Sequence, residues 1–324
     1  MAQAIRFHKT GGPEVLQLET VDVPAPGPGE ARVRNTAIGV NFIDTYQRSG
    51  LYALQLPSGL GTEAAGVVEA VGPGVDWLAA GDRVAVCTGP VGAYSTERIV
   101  PADKLVKLPD GIEDRTAAAM MLKGLTVQYL FRQTYPLKAG ETILFHAAAG
   151  GVGLIACQWA RALGVTMIGT VSSDAKAQLA HEYGCTHTIV YTRENFVERV
   201  KELTGGKGVP VVYDSIGKDT FPASLDCLSP RGLFVSFGSA SGPVPPFSLI
   251  TLSQKGSLYV TRPTLFTYAS NRTSLNAMAG ELFALVKAGK IKPDARQTFA
   301  LKDAGEAHRS LEARKTTGAT LLLP

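Results

Sequence analysis

The chain has 324 residues, enough for two domains that each bury a core. With 45% hydrophobic and 19% charged residues it is not a disordered chain, and a net charge of +4, evenly spread, leaves no footprint for nucleic acid or an anionic membrane. The opening Met1-Ala2-Gln3-Ala4-Ile5-Arg6 has no apolar signal core and no run approaches the ~18 apolar residues of a membrane span, so a cytoplasmic location is expected.

The first third reads as β-rich. Apolar or alternating runs at Ala2–Phe7, Glu30–Ile38, Ala65–Val71 and Arg83–Val86 predict short strands. Gly11-Gly12-Pro13, Pro24 to Gly29, Gly72-Pro73-Gly74 and Ala80-Gly81-Asp82 predict the turns between them. Such a pattern suits a twisted, partly closed β-fold.

From about Leu122 the pattern changes. A helix is expected over Gly124–Gln133, then strand Thr142–His146, helix Gly153–Leu163, strand Thr166–Val171, helix Ala175–Tyr183 and strand His187–Val190. Helix Phe196–Leu203, strand Val209–Asp214, a helix from about Phe221 to Leu228, and strand Gly232–Phe237 follow. Alternating βα units predict a parallel, doubly wound sheet. A further β-run at Leu258–Val260 leads to Arg262-Pro263, the tail is helical over Leu275–Ala288, and Thr320–Leu323 reads as a last strand. The tail need not be a third domain; if it returns to the β-rich part, the nucleotide-binding domain is an insertion.

The most informative segment is Thr142 to Gly153. An apolar strand runs into Ala147-Ala148-Ala149-Gly150-Gly151-Val152-Gly153, and a helix begins at once. Ala147, Gly150 and Gly153 stand at A-x-x-G-x-x-G spacing. Small residues permit the tight turn, Gly150, Gly151 and Val152 offer backbone N–H groups to a pyrophosphate, and Gly153 lets the helix pack on its strand. A merely tight βα turn is the bland alternative. The place that reads the adenosine ribose carries Val171-Ser172-Ser173 rather than an acid, with Lys176 and Tyr191 nearby. Hydroxyls and a cation suit a 2′-phosphate, which points to NADPH. Asp174 is the complication, because it would serve a free 2′-hydroxyl. Ser173 or Asp174 also suits the cap of the next helix.

Four cysteines (Cys87, Cys157, Cys185, Cys227) form no C-x-x-C pair and have no histidine at metal-ligand spacing, so they read as reduced thiols. His146 reads as packed against the sheet, and no Ser-His-Asp set or paired carboxylates argue for hydrolysis.

Gly39-Val40-Asn41-Phe42-Ile43-Asp44, Gly59-Leu60-Gly61-Thr62-Glu63-Ala64-Ala65-Gly66, Ala80-Gly81-Asp82-Arg83-Val84 and the Ala147–Gly153 turn together resemble the medium-chain dehydrogenase/reductase superfamily. Asn41 to Tyr46, Arg48 to Tyr52, Lys123-Gly124-Leu125-Thr126 and Val260 to Pro263 resemble its zinc-independent, zeta-crystallin-like NADPH:quinone oxidoreductases, over essentially the full length. The resemblance implies an α/β protein: a GroES-like β-rich catalytic domain (1–122 with 263–324), a Rossmann NADPH-binding domain (123–262), and a homodimer. Zinc enzymes of the superfamily carry cysteine where this chain has Asn41 and histidine where it has Thr62. Glu63 alone does not hold zinc, so no metal is expected.

A quinone needs less help than a ketone, because the developing oxyanion is delocalised over a ring and a few donors stabilise it. The resemblance puts Asn41, Tyr46 and Tyr52 in the substrate cleft as those donors, with Asn41 also beside the cofactor. It puts Thr126 and Tyr129 on the nicotinamide side, and Phe237, Gly238 and Arg262 along the cofactor edge, with Ser172, Ser173, Lys176 and Tyr191 at the phosphate. Asp44 is expected to be a structural hydrogen-bonding residue and Glu63 to anchor a turn. An alkenal or enone double-bond reductase is the nearest rival. A non-catalytic crystallin-like or RNA-binding role is the other class, and the lack of a basic, aromatic-interleaved strip argues against RNA.

Overall fold

A computed structural model describes residues 1–324. β1 (Ala2–Phe7), β2 (Gln17–Val21) and β3 (Glu30–Val40) open the chain, and α1 (Phe42–Ser49) starts one residue after β3 ends. β4 (Ser58–Gly59), β5 (Glu63–Val71), β6 (Arg83–Val86), β7 (Glu97–Pro101) and β8 (Leu105–Lys107) follow. α2 (Asp114–Tyr129) then runs into a π-helical turn at Leu130–Thr134. The helix expected at Gly124–Gln133 therefore begins ten residues early. Residues Ala117 to Met121 are all fully buried, so no polar stripe marks its period in the sequence.

The βα alternation comes next: β9 (Thr142–Phe145), α3 (Gly151–Leu163), β10 (Thr166–Val171), α4 (Asp174–Glu182), β11 (His187–Val190) and α5 (Phe196–Leu203). β12 (Val209–Asp214), β13 (Leu228–Ser236), α6 (Ile250–Gln254) and β14 (Tyr259–Thr261) complete it. The helix expected at Phe221–Leu228 is only a 3-10 turn at Ala223–Cys227, because β13 already begins at Leu228. The tail contains α7 (Leu265–Tyr268), α8 (Arg272–Lys287), β15 (Ala295–Ala300), α9 (Ala304–Glu312) and β16 (Ala319–Leu323).

The chain divides into two compact units: Met1–Leu125 with Leu265–Gly289 and Pro293–Pro324, and Thr126–Thr264 with Lys290–Lys292. In the first, the main sheet runs β15-β16-β3-β5-β6-β8, with β7 also on β3, and a small sheet runs β2-β1-β4. β16 pairs antiparallel with β3 (Leu321 opposite Gly39), so the tail and the N-terminal region share one sheet. Apolar positions alternate inward along β3 (Ala31, Val33) and meet Val68, Val84, Leu105 and Leu322 in a single core.

The second unit has a six-stranded parallel sheet in the order β11-β10-β9-β12-β13-β14. Its strand order reverses between β9 and β12, the place where doubly wound sheets open a crevice at their carboxyl edge. Leu144, Ile168, Ile189, Val212 and Phe234 from the strands pack with Val200 and Leu225 beside them.

Candidate functional site

In the second unit, the turn after β9 is the centre of the site. The His146 N–H donates to Tyr213 O at 3.0 Å and the Ala148 N–H to Thr170 O at 3.0 Å, which ties the turn to β12 and β10. Between them Ala147 adopts φ 58°, a left-handed conformation that costs a non-glycine residue energy and is kept where a site needs it. Gly150 is the N-cap of α3 and offers no side-chain cap, so the first N–H groups of that helix face an unfilled end. A Cβ on Gly153 would collide with Ala147 O and, at 2.5 Å, with Ala148 O, so only glycine lets the helix sit this close. A tight turn, an uncapped helix end and a strained alanine together fit a pyrophosphate.

His146 beneath this turn is structural. Nδ1 lies 2.9 Å from Thr170 Oγ1 and Nε2 lies 2.9 Å from Ser224 Oγ. Burial holds the imidazole below its ordinary pKa, against the opposing pull of Asp214, so the ring stays neutral.

At the end of β10, Ser172 and Ser173 form the next turn. The Lys176 N–H approaches Ser173 Oγ at 3.4 Å, which makes Ser173 the cap of α4. Thr192 Oγ1 donates to Ser172 O at 3.3 Å, so the turn after β11, which carries Tyr191, is laced to this one. Asp174 is fully engaged by Arg193, whose Nη1 and Nη2 lie 2.7 and 2.5 Å from its two oxygens. Lys176 is half-buried and Tyr191 exposed.

At the end of β13, the Phe237 ring lies 5.6 Å from Phe145. Arg262, just past β14, donates from Nη1 to Gly238 O at 3.0 Å and approaches Ser236 Oγ at 3.3 Å. Thr126 and Tyr129, at the C-terminal end of α2, are buried. With the exception of Asn41, Thr126 and Tyr129, every expected cofactor residue follows the carboxyl end of a parallel strand, the edge at which such sheets bind ligands.

In the first unit, Asn41 caps α1 and is buried. Its amide Nδ2 donates to Glu63 Oε2 at 2.8 Å and approaches Gly39 O at 3.4 Å. The carboxylate fixes which way the amide points, so the N–H groups face inward. Glu63 is not the turn anchor expected of it. It opens β5, is fully buried, and also accepts from Lys123 Nζ (2.8 Å) and the Leu122 N–H (2.7 Å). Gly39 makes room for it, because a Cβ there would collide with Glu63 Oε2 and lie 2.5 Å from Ala118 O. Tyr46 and Tyr52 meet edge to face with ring centroids 5.4 Å apart; Tyr46 is buried and Tyr52 is at the surface.

Asp44 begins a second polar chain. Oδ2 accepts from the Asn41 N–H (2.8 Å) and the Tyr94 hydroxyl (2.8 Å). Oδ1 is buried with no hydrogen-bond partner. Burial pushes the Asp44 carboxyl up to about 7, although the Asn41 N–H, Tyr94 and Lys123 all pull it down. His308 stands behind Tyr94, with Nε2 3.0 Å from the hydroxyl and Nδ1 3.0 Å from Arg48 Nη1. A guanidinium only donates, so Nδ1 accepts and Nε2 carries the proton toward Tyr94. Burial and the Arg48 charge push His308 down to about 3. Arg48 closes the chain on Glu312 at 2.7 Å.

No group of three or more His, Cys, Asp or Glu side chains in the structure has the arrangement to hold a metal ion. Asn41 and Thr62 supply an amide and a hydroxyl at the superfamily's zinc positions, and neither is a zinc ligand of the usual kind. All four cysteines are free and buried.

Comparisons with known proteins agree with this geometry. Residues 27–110 match the alcohol dehydrogenase GroES-like domain, and residues 151–279 match the zinc-binding dehydrogenase family. A quinone oxidoreductase of Pseudomonas aeruginosa is 62% identical, with both chains covered completely. A 2-haloacrylate reductase of a Burkholderia species is 50% identical over 100% of this chain and 99% of its own. The structure of an Escherichia coli quinone oxidoreductase solved with NADPH superposes with a TM-score of 0.98 at 55% identity, covering 99% of this chain and 100% of that one. The chain belongs to the quinone oxidoreductases of the medium-chain dehydrogenase/reductase superfamily.

Proposed function

We propose that this protein reduces quinones by hydride transfer from NADPH, without a metal. The observation that carries this is full-length identity of 62% to a quinone oxidoreductase, in a chain whose Ala147–Gly153 turn has the shape a dinucleotide requires. When bound, NADPH supplies the hydride; one quinone, one NADPH and one proton give one hydroquinone and one NADP⁺.

In this proposal the α3 N-terminus with Gly150, Gly151 and Val152 holds the pyrophosphate, and Ser172, Ser173, Lys176 and Tyr191 hold the 2′-phosphate. Phe237, Gly238 and Arg262 line the carboxyl edge, and Thr126 and Tyr129 face the nicotinamide. The domain limits 1–122 with 263–324, and 123–262, go with this assignment. Tyr46 and Tyr52 are the donors to the developing oxyanion. Asn41, whose Nδ2 donates to Glu63 Oε2 and approaches Gly39 O, belongs with Tyr46 and Tyr52 to the proposed catalytic set and also to the cofactor-binding set.

The homodimer belongs to the same proposal. β14 ends its sheet, and its outer edge carries Tyr259 and Val260, 61% and 38% exposed, with Leu249 and Ile250 also exposed. An apolar open edge of this kind is covered in most proteins, and a second copy covers it symmetrically. A cytoplasmic location is proposed too; no helix is long and apolar enough to cross a membrane.

Reduction of an activated alkene is the second possibility, favoured by the 2-haloacrylate reductase relative. One experiment separates the two. Purified protein with NADPH is given a panel of quinones, enones and simple alcohols, and loss of reduced-nicotinamide absorbance is followed. Fast quinone turnover and negligible alcohol oxidation are expected. A strong enone preference would move the substrate class, and alcohol oxidation matching quinone turnover would refute the mechanism.

A further inference from the structure

Asp174 is the one acidic side chain in the turn after β10, about 20 residues beyond the glycines, where NAD-type sheets keep an acid for the ribose. A bare carboxylate there would accept from a free 2′-hydroxyl and repel a 2′-phosphate. Protonation offers no escape, because Arg193 holds the Asp174 carboxyl below its ordinary pKa, and so ionised. What the structure shows instead is occupation. Arg193 Nη1 and Nη2 meet Oδ2 and Oδ1 at 2.7 and 2.5 Å, a two-pronged pairing that uses both oxygens.

The pairing is built into the sheet edge. Val190 lies beside Val171 in the parallel register of β11 and β10. The Tyr191 N–H then donates to Val171 O at 3.1 Å, and Thr192 Oγ1 to Ser172 O at 3.3 Å. Three successive residues, Tyr191, Thr192 and Arg193, thus fasten one turn to the other, and the third falls on the acid. Both partners are exposed, at 57% and 75% of the side chain, so the pair contributes little to folding. Its effect is on the local field.

We propose that Arg193 is a specificity-determining residue: by occupying both oxygens of Asp174 it cancels the charge that would reject a 2′-phosphate and removes the acceptor a 2′-hydroxyl would use. Arg193 acts through Asp174 and is a positioning residue. The proposal rests on the NADPH assignment.

The test is a mutant cycle read as dissociation constants for NADPH and NADH, from reduced-nicotinamide fluorescence. Arg193→Ala is expected to weaken NADPH about tenfold, by exposing a full charge near the phosphate, and to leave NADH unchanged or tighter. Adding Asp174→Ala should return NADPH to within about threefold of wild type, since the offending charge is gone. All variants should melt like the wild type. A double variant as weak as Arg193→Ala would mean that Arg193 touches the phosphate itself, and would overturn the proposal. Equal losses for both cofactors would overturn it as well. A wild-type preference for NADH would overturn the NADPH assignment and the proposal with it, and that outcome is visible before any variant is made.

Discussion

The buried pair Asp44 and His308 should give the first unit two opposed pH dependences. The Asp44 carboxyl is raised from 3.8 to about 7, mainly by burial. Its neutral form is the one the fold prefers, so its contribution is complete below about pH 4 and is lost as pH rises through 7. A rise of this size corresponds to about 4 kcal/mol. His308 is lowered from 6.5 to about 3 by burial and by Arg48. Its contribution is complete above about pH 6.5 and is lost as pH falls toward 3, about 5 kcal/mol in all. Between about pH 4 and 6.5 each group changes stability by about 1.4 kcal/mol per pH unit, with opposite signs, so the pair nearly cancels. Asp44→Asn keeps an oxygen for Tyr94 and the Asn41 N–H but cannot ionise. It should unmask the His308 slope: stability rising with pH by about 1.4 kcal/mol per unit over that window. Of the two tryptophans, Trp77 lies in the first unit and Trp159 in the second, so a Trp159→Phe background makes fluorescence report the first unit alone. Urea unfolding of both proteins from pH 4 to 8 is the measurement. An Asp44→Asn curve parallel to that of its parent over pH 4 to 6.5 would refute the reasoning, because Asp44 would then carry the same charge folded and unfolded over that range.

Three further outcomes are expected. Lys123→Met leaves the Glu63 carboxylate buried without its cation and should cost about 3–5 kcal/mol, while adding Glu63→Gln should recover part of that; simple additivity in unfolding measurements would count against a coupled pair. Lys176→Ala should weaken NADPH by about 1.5–3 kcal/mol and NADH far less, and equal losses in a binding titration would sink the phosphate assignment. Tyr52→Phe should lower kcat/KM for a small quinone on the order of tenfold with the NADPH dissociation constant unchanged, and unchanged steady-state kinetics would remove Tyr52 from the donor set.

The doubly wound sheet was legible because each of its strands is a short apolar run with its own turn signal, and strands and helices alternate. β9 through β12 fall within a residue of their expected limits. α2 was legible only in its second half. Its middle is enclosed on every side, and a helix without a polar face shows no period to read. The segment before β13 failed differently. Apolar residues at helical spacing were present, but a five-residue turn was all the chain left for them.

At the site the same contrast has a physical cause. The residues proposed for the cofactor's phosphates follow strand ends in sequence, so a motif of a few residues picks them out. The residues that orient Asn41 and Asp44 are joined only by folding: Lys123 reaches Glu63 across 60 positions, Tyr94 reaches Asp44 across 50, and His308 reaches Tyr94 across 214. Nothing local in Glu63 distinguishes a buried carboxylate with three donors from a turn residue, and its reading as a turn anchor fails for that reason. Asn41 shows the same dependence on folding. Its identity is visible in the sequence, but the direction of its amide is set by Glu63, a carboxylate that opens β5.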